Sequence, residues 1–214
     1  MKIGIIGAGD IGSTLGKAWA KRGHQIMFGI RNRESLKAKK LLSSQDINLQ
    51  IGSIDEAINF GEVIVLAVPW EAALEIVKAA PNLSSKTIID PTNPLSSDLK
   101  IVVTPSFTSA AEEIAKLAQG AKVVKAFNAI GAKTLGNLQF GGEKADAFLC
   151  GDDSISKSLV GKLALEIGFN VVDVGPLSNA KLLENLALLW LKLAFSQQLG
   201  PNIAFKLLTR TSGS

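Results

Sequence analysis

The residues best equipped for chemistry stand at the start of the chain. Gly7-Ala8-Gly9-Asp10-Ile11-Gly12 follows directly on the apolar run Lys2–Ile6. Glycines at this spacing, between a strand and a helix expected over residues 11–22, form a cradle for a diphosphate. Gly7 permits the tight turn, Gly9 lets the ligand approach the backbone, and Gly12 lets the helix pack against the strand. The helix N-terminus then faces the anion with free N–H groups and a partial positive charge. Gly7, Ala8, Gly9, Asp10 and Ile11 are therefore candidate dinucleotide-binding residues.

The end of the second strand, expected over residues 24–30, selects the nucleotide. Rossmann-like proteins that prefer NAD usually carry Asp or Glu there to bond the ribose hydroxyls. Here the chain reads Gly29-Ile30-Arg31-Asn32-Arg33, and the first carboxylate is Glu34, at the next helix. A guanidinium fork suits bidentate contact with a ribose 2′-phosphate. Arg31, Asn32 and Arg33 are thus candidates for binding NADP(H) rather than NAD(H). The competing reading makes both arginines solvated loop charges, and it applies more to Arg33 than to Arg31.

Composition narrows the chemistry. The 214 residues carry one His, no Tyr and one Cys. A Ser–His–Asp hydrolase, a His-based zinc site and a Tyr–Lys alcohol dehydrogenase therefore all lack parts. No metal site is expected. His24 lies between a helix-ending Gly23 and a strand, which suits a structural role. Cys150 falls in an apparent strand and reads as a buried thiol. Net charge is +4 and pI about 9.2. That excess is mild and scattered, suiting anionic cofactors and not nucleic acid. The N-terminus runs straight into a strand, so no signal peptide is expected. The longest apolar stretch, 186–195, contains Lys192 and is too short to span a bilayer. A cytoplasmic protein without a membrane anchor is expected.

The elements that must position these residues alternate between strand and helix. Strands are expected at residues 48–51, 63–68, 87–90, 122–126, 145–150 and 170–174. Helices are expected at 54–60, 70–80, 109–119 and 154–167, with a long apolar helix over 179–198. The fold class is α/β: a Rossmann-like, doubly wound, mostly parallel sheet of about eight strands. Residues 1–214 form a single NADP-binding domain. From about residue 120 to 214, a C-terminal helical extension completes the substrate cleft.

Ligands of open α/β sheets bind beyond the carboxyl ends of the strands. Val68-Pro69-Trp70, Thr92-Asn93-Pro94 and Phe127-Asn128-Ala129-Ile130-Gly131 meet that rule. Val68 and Pro69 offer an apolar shelf for a nicotinamide ring. The amides of Asn93 and Asn128 offer polar contacts, with Trp70 and Ala129 beside them. Taken singly, Pro69 and Pro94 fit strand termination equally well. Glu71 is a candidate cap of the helix after Pro69. Ser178 or Asn179 is a candidate N-cap of the last helix, whose leading loop, Gly175-Pro176-Leu177-Ser178-Asn179, would line a second substrate if that helix closes the pocket.

At these residues the chain resembles the NADPH-dependent reductases of the deazaflavin coenzyme F-420, nearly end to end. The resemblance rests on the glycine loop, Gly23-His24, Gly29-Ile30-Arg31, Val68-Pro69-Trp70-Glu71, Cys150-Gly151-Asp152-Asp153 and Gly175-Pro176-Leu177-Ser178-Asn179. It implies direct hydride transfer between nicotinamide C4 and deazaflavin C5, with no catalytic side chain, and a homodimer. It also implies a second-substrate pocket at Ile130, Gly131, Pro176, Leu177, Ser178 and Asn179. Two features depart from the family. Ile30 stands where a small hydroxyl residue is usual, and the 127–131 loop lacks the His and Pro of archaeal members. Lys125-Ala126-Phe127-Asn128 and Asp90-Pro91-Thr92-Asn93-Pro94 also resemble the cytosolic domain of six-transmembrane ferric reductases, which pass hydride from NADPH to a flavin.

The leading expectation is an NADP-dependent oxidoreductase acting on coenzyme F-420. The nearest alternative keeps NADPH and reduces FMN, FAD or ferric iron. An alternative of another class is a non-catalytic NADPH-binding redox sensor. An imine or hydroxyacid dehydrogenase is disfavoured, because those enzymes usually carry a helical C-terminal domain for which little chain remains.

Overall fold

The computed structural model describes residues 1–34, 41, 48–80, 82–95 and 108–210. The helix expected after Arg33 lies outside the described residues. The order of elements is β1 (Lys2–Ile6), α1 (Asp10–Ala20), β2 (Gln25–Gly29), β3 (Leu49–Gly52), α2 (Ile54–Phe60), β4 (Val63–Leu66), α3 (Trp70–Ala79), β5 (Thr87–Asp90), α4 (Ala110–Leu117) and β6 (Lys122–Ala126). There follow a small hairpin of β7 (Gln139–Phe140) and β8 (Glu143–Lys144), then β9 (Asp146–Gly151), α5 (Ser154–Ile167), β10 (Asn170–Asp173) and α6 (Ala180–Leu191).

Eight strands form one sheet in the order β10-β9-β6-β5-β4-β1-β2-β3. Strands β1 to β6 are mutually parallel in the Rossmann order 3-2-1-4-5-6. The central ones bury nearly every residue, as continuous runs such as Val63-Ile64-Val65-Leu66 require when both faces of a sheet are covered. Helices α1 and α5 cover one face through Leu15, Trp19, Val160, Leu163 and Ala164. Helices α2, α3, α4 and α6 cover the other, through residues such as Ala57, Ile76, Ile114 and Leu183. The sheet is doubly wound and mostly parallel, as the sequence pattern requires.

One strand pair breaks the parallel pattern. β9 runs antiparallel to β6, with Val124 opposite Gly151 and Ala126 opposite Leu149, and β10 runs parallel to β9. The C-terminal ends of β9 and β10 therefore point to the edge of the sheet opposite the C-terminal ends of β1 to β6. Local signals explain the helix boundaries. Ser53 with Glu56, and Ser109 with Glu112, form capping boxes. Asp153 caps α5 by accepting from Ser156 N–H, and Gly168 ends that helix in a left-handed conformation. Two expected caps are absent. Glu71 does not cap α3, because Pro69 occupies the cap position without a side-chain bond. Asn179 stands at the cap of α6, but its amide donates to Val174 O at 2.6 Å, tying the loop to β10.

The α1 and α5 face carries the ties between the two ends of the chain. His24 Nε2 lies 2.6 Å from Glu166 Oε2, which gives His24 the structural role its position suggested. Trp19 is fully buried and donates its indole N–H to Leu163 O at 3.0 Å. Its ring meets Phe127 edge-on at 5.9 Å, and Phe127 in turn meets Phe169. Cys150 is buried, and burial pushes its thiol up to about 12. Trp19→Ala should destabilise the fold by about 3–5 kcal/mol, the usual cost of emptying a buried aromatic site. Urea denaturation should show a lower midpoint with an unchanged slope. A midpoint equal to that of the parent would exclude this tie as a main support.

Candidate functional site

The three glycines of the opening loop are required for three different reasons. Gly7 has φ +100°, and a Cβ there would overlap the Ala67 carbonyl. A Cβ on Gly12 would lie 2.6 Å from Gly7 O and 2.8 Å from Ala67 Cβ, so this glycine lets α1 settle onto β1 and β4. Gly9 is different. Its φ of −70° suits any residue, and a Cβ there would meet nothing within 4 Å. Nothing in the protein itself requires glycine at position 9. The open space is what a phosphate needs to reach the backbone. Gly9 is also the N-cap of α1 and supplies no side chain, so the helix's first N–H groups are left for an anion.

Two cavities open at this edge and share Gly9, Ala67, Val68 and Pro69. The first, about 470 Å³, runs over Gly7, Ala8, Gly29 and Ile30 to Arg31 and Asn32. Among the described residues, no carboxylate lines it. The Arg31 side chain is 72% exposed and only 3.9 Å from the exposed Glu75, a contact too weak to fix it. Arg33 is held elsewhere: its guanidinium pairs with Glu56, whose carboxylate also accepts from Ser53 N–H. The backbone bond from Ser53 and the charge of Arg33 together hold the Glu56 carboxyl below its usual range, against a small opposing effect of burial. The structure thus brings Arg31 and Asn32 to the cavity and leaves Arg33 outside it.

The second cavity, about 600 Å³, is lined by Asp10, Ile11, Pro91, Ile130, Gly131, Ala132 and Lys133 on one side. Trp190, Leu191, Phe195 and Pro201 close the other. The last four come from the end of α6, from the π-helical turn Lys192–Ser196 and from the segment beyond it. Gly131 is glycine because of Trp190: a Cβ there would lie 2.7 Å from the indole ring. Sequence reasoning singled out the last helix as apolar but did not see that its far end is the cavity wall. The tryptophan near its C-terminus, next to a run that outlasts the helix, was the available signal.

The remaining candidates fall in three places. Val68 and Pro69 stand where the cavities meet, as expected of a shelf. Asn93 and Asn128 bind each other: Asn128 donates to Asn93 Oδ1 at 2.9 Å and to Leu183 O at 2.8 Å, and Asn93 donates to Asn128 O at 2.9 Å. Their amides are committed to joining β5, β6 and α6, so they buttress the floor and do not reach the cavity. Trp70 and Ala129 line neither cavity. Pro176, Leu177, Ser178 and Asn179 are displaced furthest. They follow β10, whose end points away from the glycine loop, and Leu177 lies beside Lys122, Asp152 and Asp153 at the opposite edge. The expectation that this loop lines the second substrate is corrected: it launches α6, and the other end of α6 reaches the cavity.

Beneath the floor lies a cluster that the sequence did not reveal. Lys125 is fully buried, with Nζ 2.9 Å from Asp90 Oδ2 and 3.0 Å from Glu184 Oε1, and it also donates to Thr92 O. Burial alone would lower the ammonium's pKa, but the two carboxylates outweigh it and hold Lys125 above its ordinary value. Burial raises the Glu184 carboxyl above its usual range despite the neighbouring ammonium.

Two predictions follow from this geometry. Gly9→Val should weaken NADP(H) binding at least tenfold in a fluorescence titration while leaving the thermal midpoint nearly unchanged, since the protein offers that side chain open space. Gly12→Val should lower the midpoint by several degrees. Equal destabilisation by both substitutions would show that Gly9 is structural. Lys125→Met should cost about 3–5 kcal/mol in urea, because two buried carboxylates lose their counter-charge. A loss below about 1 kcal/mol would show that the cluster is not a support.

Comparisons with known proteins agree with this architecture. The family model described as "NADP oxidoreductase coenzyme F420-dependent" matches residues 2–94. The metalloreductase STEAP3 of Rattus norvegicus is 30% identical over 187 residues, 87% of this chain. The chain spans 36% of that relative's length. The crystal structure of a candidate F420-dependent NADP-reductase from Arthrobacter sp. FB24 superposes with a TM-score of 0.87 at 26% identity, covering 98% of this chain and 100% of that one. A reductive aminase from Aspergillus terreus in complex with NADPH and ethyl levulinate shares the fold, with a TM-score of 0.68 at 22% identity over 92% of this chain and 62% of that one. No helix among the described residues is long and apolar enough to cross a membrane. The family match covers the glycine loop and both cavities' shared residues, and the superposition on the Arthrobacter structure runs end to end, so this chain is similar to the coenzyme F420-dependent NADP oxidoreductases in sequence over residues 2–94 and in fold throughout.

Proposed function

We propose that this chain transfers a hydride between NADP(H) and the deazaflavin coenzyme F-420, both bound in one cleft. The observation that carries the reading is the pair of cavities joined at Gly9, Ala67, Val68 and Pro69. One leads to an arginine and lacks an acid. The other is walled mainly by apolar and aromatic groups, with Asp10 and Lys133 on its lining, and contains no His, Cys or Tyr. Hydride transfer needs two rings brought face to face with water excluded, not a side chain that moves protons.

In this reading NADP(H), when bound, supplies or accepts the hydride at its nicotinamide ring. The chain's own residues bind and orient. The N–H groups at the start of α1, with Gly7, Ala8 and Gly9, take the diphosphate. Arg31 and Asn32 take the 2′-phosphate. Val68 and Pro69 set the face of the nicotinamide. Asp10 and Ile11 border both ligands. Ile130, Gly131, Trp190 and Phe195 exclude water around the acceptor. The residues after about 120 thereby complete the cleft, as a C-terminal extension of a single domain. Along α6, Leu182 and Leu189 are exposed and Leu186 is half-buried, on one stripe. That unpartnered apolar stripe supports a homodimer in which a second copy covers it.

A second reading keeps NADPH and makes the acceptor FMN, FAD or, through a flavin, ferric iron. The likeness to a metalloreductase over 87% of the chain favours it. Anaerobic mixing with NADPH, followed at 340 nm, separates the two. Turnover with coenzyme F-420 and little with FMN is the expected result, and the reverse would transfer the proposal to the flavins. No oxidation with any acceptor would leave the redox sensor. Arg31→Glu should raise the NADPH KM at least tenfold with little change for NADH, since a hydrogen bond to a charged group is worth about 1.5–3 kcal/mol and the introduced carboxylate repels the phosphate. An unchanged NADPH KM would remove Arg31 from the site.

A further inference from the structure

We infer that Phe195 sets the acceptor specificity of this cleft by stacking on a planar aromatic ring system; the inference rests on the proposed hydride transfer and deepens it. Phe195 borders the second cavity, yet its ring is 57% exposed. An aromatic ring exposed at the open side of a cavity gains the apolar area that a ligand covers on binding.

The backbone is shaped to hold the ring there. In an α-helix, residues five apart point about 140° from each other. Trp190 and Phe195 nevertheless meet, with ring centroids 6.0 Å apart and planes at 81°. The π-helical turn Lys192–Ser196 makes this possible: Gln197 N–H bonds to Lys192 O at 2.9 Å, a step of five residues, which brings five-apart side chains to one face. π-helical turns are rare and occur frequently at functional sites.

Trp190 is the fixed member of the pair. Its indole N–H donates to Ile203 O at 2.8 Å, and its ring is pressed against Gly131. Thr134 Oγ1 bonds to Pro201 O at 2.8 Å, which anchors the chain just after the turn. An edge-to-face pair leaves at least one face of Phe195 uncovered by Trp190. That face has no donor or acceptor, so it recognises a ring by shape and dispersion. A tricyclic isoalloxazine or deazaflavin offers such a ring, whereas a small polar carbonyl or imine does not.

The test uses the full chain and Phe195→Ala, Phe195→Leu and Phe195→Trp, with FMN and 5-deazariboflavin as probes. Three quantities are read: quenching of probe fluorescence without NADPH, KM and kcat for each probe at 340 nm, and the NADPH dissociation constant. Phe195→Ala should abolish most of the quenching and raise the probe KM about tenfold, with kcat within about threefold and NADPH affinity unchanged. Phe195→Trp should restore the parent values, and Phe195→Leu should not. A KM change below twofold in Phe195→Ala, or full rescue by leucine, would overturn the inference. Turnover with an unchanged KM in the alanine variant would retain the hydride reading and reject the role of Phe195. Quenching that depends on Phe195 in a protein that never oxidises NADPH would do the reverse. A parent protein that neither binds nor reduces either probe would reject both.

Discussion

The cleft depends on one buried cation. Lys125 leaves water completely, and desolvating an ammonium costs several kcal/mol even after relaxation. Asp90 and Glu184 offset that cost at 2.9 and 3.0 Å, and the Thr92 carbonyl accepts a further hydrogen bond. Each partner belongs to a different element: Asp90 ends β5, Lys125 is on β6, and Glu184 is one turn into α6. The cluster therefore clamps the parallel Rossmann half to the helix that ends the extension. The Asn93–Asn128 pair repeats the clamp just above it, with Asn128 also donating to Leu183 O. An ion pair at this depth is seldom a net source of stability against an apolar substitute. What it supplies is registry: α6 must pass at one height and one rotation for both carboxylates to be met.

That registry matters because of where α6 begins and ends. The reversal between β6 and β9 carries the chain to the edge of the sheet away from the glycine loop. α6 starts there, at Ala180, and returns past Lys125 to deliver Trp190 and Leu191 to the second cavity. Small rotations of such a helix move its far end most. Fixing Glu184 and Leu183 near mid-course holds that far end. Thr134 and Ile203 then secure it through Pro201 and Trp190. The last helix is thus a wall supported at both ends.

Much of this was legible in the sequence, because local chemistry determines it. An uninterrupted apolar run located β4, and a glycine loop located the junction of β1 with α1. The absence of an acid after Gly29 marked the Arg31 pocket. The buried thiol and structural histidine followed from their neighbours. The failures share one cause: each needed a long-range fact. The 176–179 loop was placed at the cleft by a rule for strand ends that presumes parallel strands, and nothing local marks β9 as antiparallel. Asn93 and Asn128 read as ligand contacts because amides at strand ends often are. Only their mutual approach, 35 residues apart in sequence, shows them already paired. Lys125 read as part of a strand, since the two acids that bury it lie 35 and 59 residues away (125 − 90 and 184 − 125).

The phosphate end shows how the same residue type is given two tasks by its neighbours. Arg31 and Arg33 are two residues apart and equally charged. Glu56 carries the capping box of α2, with its carboxylate already oriented by Ser53 N–H, so it presents a fixed acceptor to Arg33. The ordering entropy of that carboxylate is met by the helix cap, which makes the Arg33 pair tighter than an ordinary surface contact. Among the described residues the acid beside Arg31 is the exposed Glu75, 3.9 Å away, a contact that leaves the arginine side chain largely in solvent. An incoming dianion therefore competes with little at Arg31 and with a preformed partner at Arg33. The cap of a neighbouring helix thus occupies one arginine and leaves the other weakly paired beside the cavity.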